Sequence, residues 1–284
     1  FNMDPVQLEK AIHALRRRDS TFHPLPEGLL GEATQVRGIM PVDLFGLPAH
    51  YGAILAIAES HNLFVIEDAA QSFGGELNGK KACGLAHIGC TSFFPAKPLG
   101  AYGDGGMCFT RDPGLHDTML SLRIHGQGSN KYENQRIGIN GRLDTLQAAI
   151  LLEKFAIFPD ELERRQAVAQ RYTGMLRAGG ARVTVPEVPS GYISAWAQYS
   201  VLAPDAHSRE TFLAALRAAG IPSAVYYPTP LHLQPAYRFL GYSSGDFPVS
   251  EYCAQRIFSL PMHPYLTVEQ QEQITAVLCS VKVP

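Results

Sequence analysis

Leu63-Phe64-Val65-Ile66-Glu67-Asp68-Ala69-Ala70-Gln71 is a continuous apolar run that ends in two acids. Four apolar residues in succession, without alternation, describe a strand covered on both faces, as in a parallel sheet. Upstream, Pro48 to His61 carries Ile54, Leu55, Ile57 and Ala58 on one side and predicts a helix. Before it, Ile39-Met40-Pro41-Val42 reads as a short buried strand. Strand, helix and strand within about 30 residues form a parallel crossover unit with helices against the sheet. The fold class is therefore α/β with a mainly parallel sheet.

Working outward, Gly89 to Phe94 and Met107 to Thr110 predict two more strands, and Leu115 to His125 returns to helix. Arg142 to Phe158 is strongly helical, and Pro159-Asp160 is expected to kink or restart it into Glu161 to Leu176. Past Gly179-Gly180 the pattern changes. Trp196 to Leu202 alternates like a half-exposed strand, Ser208 to Ala219 is a helix closed by Gly220, and Val268 to Val281 is a final helix. This divides the chain into a large domain over residues 1–159 and a smaller α+β domain over 160–284. At the other end, Phe1-Asn2-Met3-Asp4-Pro5 reads as the middle of something longer, with Asp4 as N-cap and Pro5 in the first turn of a helix. Arg16 to Arg37, with its Arg16-Arg17-Arg18 triplet, reads as a polar, solvated excursion.

The 284 residues are 46% hydrophobic and 18% charged, enough to bury one large core or two modest ones. Twenty-four basic against 26 acidic side chains leave a net charge of -2, so no global field favours nucleic acid or an anionic membrane. Any phosphate must be held locally. Cys83, Cys90, Cys108, Cys253 and Cys279 are odd in number and scattered, which predicts reduced thiols in a cytoplasmic protein. No run of about 18 apolar residues suggests a membrane span, and the histidines show no i, i+4 pairing with acids that would hold a metal.

Lys97 follows a predicted strand in Ser92-Phe93-Phe94-Pro95-Ala96-Lys97-Pro98-Leu99-Gly100. A sharp turn there displays an amine, and lysine is the side chain that condenses with an aldehyde cofactor once burial lowers its pKa. A surface lysine in a proline-rich loop is the bland alternative. Ser92, five residues earlier, can donate a hydroxyl hydrogen bond to a phosphate, and Gly100, Gly103, Gly105 and Gly106 permit a tight return of the chain. Asp68 ends its strand at the edge where open α/β sheets bind ligands. A carboxylate there can keep a pyridine nitrogen protonated, or it can cap the turn that begins at Ala69. Gln71 can meet a ring hydroxyl or face solvent. Amine and carboxylate at one sheet edge suggest a pyridoxal phosphate site.

Four blocks, Glu67-Asp68-Ala69-Ala70-Gln71-Ser72-Phe73-Gly74, Ser92 to Lys97, Gly103-Asp104-Gly105-Gly106 and Gly138-Ile139-Asn140-Gly141-Arg142-Leu143-Asp144, together resemble the DegT/DnrJ/EryC1/StrS family of pyridoxal phosphate-dependent nucleotide-sugar aminotransferases. The resemblance covers nearly the whole chain, in order. It implies fold type I and these roles: Lys97 as the catalytic amine that holds the cofactor and shuttles a proton, Asp68 against the pyridinium nitrogen, Gln71 beside the ring hydroxyl, and Ser92 on the phosphate. It also implies that Asn140 reaches the partner subunit's phosphate across a homodimer interface; on its own, Asn140 reads as a turn residue between glycines. Arg142, Tyr227 and His232, the latter two in Tyr226-Tyr227-Pro228-Thr229-Pro230-Leu231-His232, are the expected substrate contacts. Arg123 and His125 match a family loop near the site and equally fit a helix C-cap. Family members also carry sequence before the position of Phe1 that includes a phosphate-cradling helix start and an aromatic side chain stacked on the ring.

The expected reaction moves an amino group, from glutamate by family habit, to a keto sugar nucleotide. The Pro95 to Gly100 version of the lysine loop looks most like members that aminate sugar C3, including UDP-linked 3-keto sugars for surface polysaccharides; a 4-keto sugar is the next candidate. A related class that dehydrates sugars has replaced its lysine, and Lys97 argues against it. A non-catalytic binding or regulatory member is the remaining alternative.

Overall fold

The computed structural model describes residues 1–27 and 35–282. The part of the Arg16 to Arg37 excursion at residues 28–34 lies outside the described residues. Helix α1 spans Pro5–Arg17, and the Asp4 carboxylate accepts from the Val6 N–H at 2.8 Å to cap it. The chain then forms β1 (Gly38–Ile39), α2 (Tyr51–Ser60), β2 (Phe64–Asp68), β3 (Glu76–Leu77), β4 (Lys80–Lys81), β5 (Ile88–Ser92) and β6 (Gly106–Phe109). After α3 (Pro113–Arg123) and the long α4 (Thr145–Ala178) come β7 (Tyr192–Ile193), β8 (Tyr199–Leu202), α5 (Ala206–Ala218), α6 (Pro248–Arg256), β9 (Ile257–Leu260) and α7 (Val268–Ser280).

Contacts group the described residues into two units. The first takes Phe1–Met3, Gly38–Asp160 and Ser190–Ala195. Its main sheet has the order β1-β2-β5-β6, with β1, β2 and β5 parallel and β6 antiparallel. Val65, Ala69, Ile54 and Tyr51 are fully buried, but Phe64 is exposed and Ile66 half-buried, so β2 buries one face and not the two that its apolar run predicts. The predicted strand over Ile39 to Val42 is shorter than its apolar pattern, because Pro41 has no N–H to pair; Val42 rejoins as a single bridge to Asp68.

The second unit takes the described parts of Asp4–Arg37, with Glu161–Pro189 and Trp196–Pro284. Thus α1 groups with the C-terminal half of the sequence rather than with the segment that follows it. The core of this unit packs Tyr172, Leu176, Phe212, Leu216, Phe258 and Leu278. Strand β8 pairs antiparallel with β9 and is buried at Tyr199, Ser200 and Val201 alike, not half-exposed as its alternation predicts. Its polar position is satisfied internally, since the Ser200 and Ser259 hydroxyls bond at 2.8 Å. Phe212 is fully buried and stacks on Phe258 at 5.6 Å. Phe212→Ala is expected to cost about 3–5 kcal/mol, cavity included, read as a lowered urea midpoint at an unchanged m-value.

Pro159 lies inside α4, which continues through it as one 34-residue helix instead of restarting.

Candidate active site

Around β2 and the segment before α2, backbone and side chain stitch two chain segments together. The Asp68 N–H donates to Pro41 O and the Asp43 N–H to Asp68 O, each at 3.0 Å. Asp43 is wholly buried. Its Oδ1 accepts from the Ala49 N–H at 2.8 Å and the Tyr51 hydroxyl at 2.9 Å, and its Oδ2 from the Ser72 hydroxyl at 2.6 Å. The Phe45 N–H donates to Gln71 Oε1 at 2.5 Å. Gln71 is therefore buried, not solvent-facing, and its amide is oriented with the NH2 end left to donate.

Asp68 closes β2 opposite Cys90, and its Oδ1 accepts from the Ala70 N–H at 3.1 Å. Both readings of Asp68 thus have a basis: one oxygen tethers the following turn, and the carboxylate charge remains at the sheet edge. Next to it in sequence, Glu67 points the other way. It is fully buried and accepts from the Cys83 and Leu85 N–H groups at 2.6 and 2.9 Å.

The lysine loop closes on Phe93. The Phe93 N–H donates to Gly105 O at 2.8 Å, and Phe93 O accepts from the Ala101 N–H at 2.7 Å. Within it, the Lys97 N–H donates to Phe94 O at 2.9 Å, and the Phe94 N–H to Ser92 Oγ at 3.2 Å, which leaves the Ser92 hydroxyl hydrogen to donate elsewhere. Gly100 has to be glycine, since a Cβ there would sit 2.4 Å from Pro95 O. From α4, Gln147 Oε1 accepts from the Tyr102 N–H at 2.8 Å and the Lys154 ammonium donates to Gly100 O. Half-buried Lys97 has its pKa lowered by desolvation, and the negative Asp68 pushes back upward. The structure thereby brings amine and carboxylate, 29 residues apart in the numbering, into each other's field.

Asn140 and Arg142 lie on an exposed stretch, with Arg142 Nε donating to Asn140 Oδ1 at 3.2 Å. The C-cap reading holds nearby: α3 ends at Arg123, and His125 has φ 59° with its N–H donating to Ile139 O at 2.9 Å. In the second unit, Tyr227 is exposed. His232 is instead committed: its Nε2 lies 3.0 Å from Glu251 Oε1, its side chain is 7% exposed, and its ring packs 4.7 Å from Phe247. As it stands, the imidazole braces its own unit.

Asp43 and Glu67 are the participants that the sequence reading did not single out. Burial pushes the Asp43 carboxyl up to about 6 and Glu67 up to about 7, against the donors that favour their ionised forms. A carboxyl that holds its proton more tightly when folded stabilises the fold below its unfolded pKa and loses that contribution as pH rises through the folded one. For Asp43 that window runs from 3.8 to about 6. Asp43→Asn removes the titration while keeping an acceptor. Urea midpoints should show wild type losing stability relative to this variant as pH rises through the window; a constant difference would refute the buried-proton account.

A half-buried amine, a carboxylate at the end of a parallel strand and a serine hydroxyl with a hydrogen to donate are groups whose chemistry suits pyridoxal phosphate. The α/β sheet that presents them is shared with solved fold type I aminotransferases. Residues 1–279 match the DegT/DnrJ/EryC1/StrS aminotransferase family, and the chain belongs to it. It is 42% identical over 278 residues to the UDP-2-acetamido-2-deoxy-3-oxo-D-glucuronate aminotransferase of Pseudomonas aeruginosa, covering 98% of this chain and 69% of that protein. It is 41% identical over 275 residues to a pleiotropic regulatory protein of Geobacillus stearothermophilus, covering 96% of this chain and 68% of that one. Among solved structures, a DegT DnrJ EryC1 StrS aminotransferase from Brucella abortus superposes with a TM-score of 0.88 at 49% identity, over 98% of this chain and 69% of that chain. The chain is a pyridoxal phosphate-dependent aminotransferase acting on sugar nucleotides.

Proposed function

We propose that the chain transfers the amino group of glutamate to C3 of a UDP-linked 3-keto sugar, in the cytoplasm, for surface polysaccharide synthesis. The observation that carries the catalytic assignment is the half-buried Lys97 in the loop after β5, with Asp68 closing the paired strand β2 at the same sheet edge. The sugar assignment is supported by the 42% identity to the Pseudomonas aeruginosa 3-oxo-glucuronate enzyme. Five unpaired thiols favour a reducing compartment. Among the described residues no helix is long and apolar enough to cross a membrane.

Pyridoxal phosphate supplies an aldehyde for amine exchange and a ring that accepts electron density from the substrate carbon. The protein's residues do the rest. Burial lowers the proton affinity of Lys97 Nζ, so that it is available as nucleophile and then as carrier of the proton between carbon atoms. Asp68 Oδ1 keeps its turn and leaves negative charge at the edge to hold the ring nitrogen protonated. The Gln71 NH2, aimed by the Phe45 N–H on its oxygen, donates beside the ring hydroxyl. Ser92 donates to the phosphate. Asn140 and Arg142, exposed and tied to each other, are offered to the partner subunit's phosphate and to the substrate in a homodimer, with Tyr227 as a further substrate contact. We leave His232 out of direct substrate contact because Glu251 and Phe247 hold it.

Amino transfer assayed with paired 3-keto and 4-keto sugar nucleotides, glutamate as donor, tests the assignment. Turnover confined to the 3-keto sugar supports it, and preference for the 4-keto sugar overturns the position. Amino transfer to neither sugar by the cofactor-loaded protein would overturn the choice of a 3-keto or 4-keto substrate altogether.

A further inference from the structure

Strands β5 and β6 carry a pair of thiols at facing positions. Cys90 and Cys108 are register partners, and their sulfurs are 3.7 Å apart. The kind of pair follows from the ladder. The Phe93 N–H donates to Gly105 O at 2.8 Å, which makes Phe93 and Gly105 a hydrogen-bonded pair. Bonded and non-bonded pairs alternate along antiparallel strands. Counting back through Ser92 with Gly106 and Thr91 with Met107, Cys90 and Cys108 form a non-bonded pair. Such pairs hold their Cα atoms about 4.5 Å apart with side chains close, at the short end of the range of about 4.4–6.8 Å that a disulfide spans. Side-chain rotation can bring the sulfurs from 3.7 Å to bonding distance without moving either strand far.

The two thiols are also unequal. The two sulfurs share one hydrogen bond, which favours the thiolate on exposed Cys108 and, together with burial, the protonated thiol on Cys90. Cys108 is exposed and Cys90 half-buried. Cys83, the other thiol of this unit, is buried and pushed up to about 12. One reachable thiolate beside one resolving thiol is the arrangement of a redox pair.

We propose that Cys90 and Cys108 form a peroxide-oxidised disulfide pair, with Cys108 the attacking thiolate and Cys90 the resolving thiol. The Cys108 sulfur attacks hydrogen peroxide; an S–O bond forms, the O–O bond breaks, and hydroxide leaves to be protonated to water. The Cys90 sulfur then attacks the sulfenic sulfur of Cys108. The S–S bond forms, the S–O bond breaks, and the Cys90 proton leaves with the oxygen as a second water. Two thiols lose two electrons in all and one peroxide gains them. The bond fastens β5 to β6 at a residue facing Asp68 on one side and two positions before Ser92.

The test treats the folded chain with limiting hydrogen peroxide, counts the remaining thiols with Ellman's reagent after denaturation and maps non-reduced peptides by mass. Loss of two of the five thiols, a Cys90–Cys108 linked peptide, and full recovery with dithiothreitol are expected. Cys90→Ser should stop the reaction at a sulfenic acid on Cys108 that dimedone labels, and Cys108→Ser should give neither product. Five persistent thiols, linkage between other cysteines, or dimedone on Cys90 instead of Cys108 would overturn the assignment. The wild-type peptide map decides the pairing even where a variant folds poorly.

Discussion

Lys97→Ala is expected to abolish amino transfer while leaving the fold in place. The amine is the group the reaction cannot replace: without it no side chain of the loop can condense with the aldehyde or return the proton to the substrate carbon. The loop itself does not rest on that amine, because its bonds run through the Lys97 and Phe93 backbones and through Gln147 and Lys154. The checks are direct. Borohydride reduction with pyridoxal phosphate should place a stable label on the Lys97 peptide of wild type and none there in the variant, and turnover should fall by at least about 10⁴-fold, the scale on which acid–base catalysis alone is lost. An unchanged circular dichroism spectrum would separate chemistry from folding. Appreciable transamination by the variant would sink the assignment.

Asp68→Asn carries the second large effect and separates the two readings of that residue. Asparagine keeps an oxygen for the Ala70 N–H, so a purely capping Asp68 predicts near-normal stability and near-normal rate. If the charge holds the ring nitrogen protonated, the rate should fall by about 10²-fold or more, as when a pre-aimed electrostatic partner is removed, with stability retained. A second readout follows from Lys97. Asp68 opposes the downward push of burial on the lysine, so the variant should bind its Lys97 proton still more weakly. The pH dependence of labelling at Lys97 should move to lower pH. A shift in the opposite direction would remove Asp68 from the proposed role.

The sequence was most readable where one interaction dominates. The apolar run into Asp68 declares a strand by itself, and Asp4-Pro5 declares a helix start, since each rests on a local rule; the run overstates the burial, because Phe64 is exposed and Ile66 only half-buried. The lysine loop was legible because proline and glycine punctuate it. Asp43 was not, because its role depends on Ala49, Tyr51 and Ser72 converging on it from both sequence neighbours and a distant turn. Glu67 was hidden by adjacency to Asp68, and only the alternation of strand faces sends the two acids to opposite sides. At Pro159 the proline rule predicts a kink or a restart, and α4 runs on without restarting. For β8 the alternating pattern was real, but its polar position faces another buried serine and not water.

Phe93 joins three demands in one residue. Its N–H and C=O clasp Gly105 and Ala101, and its buried ring meets Phe73 edge-on at 6.0 Å. The loop is therefore hinged on a residue that cannot swing without opening an aromatic cluster, and the lysine is borne on a short, fixed stem. Such a stem raises the effective local concentration of the amine at its target, an advantage that well-oriented groups hold over freely diffusing ones by about 10⁵ M and upward. A side chain that shrinks Phe93 would leave every reacting group present and dilute the encounter between them.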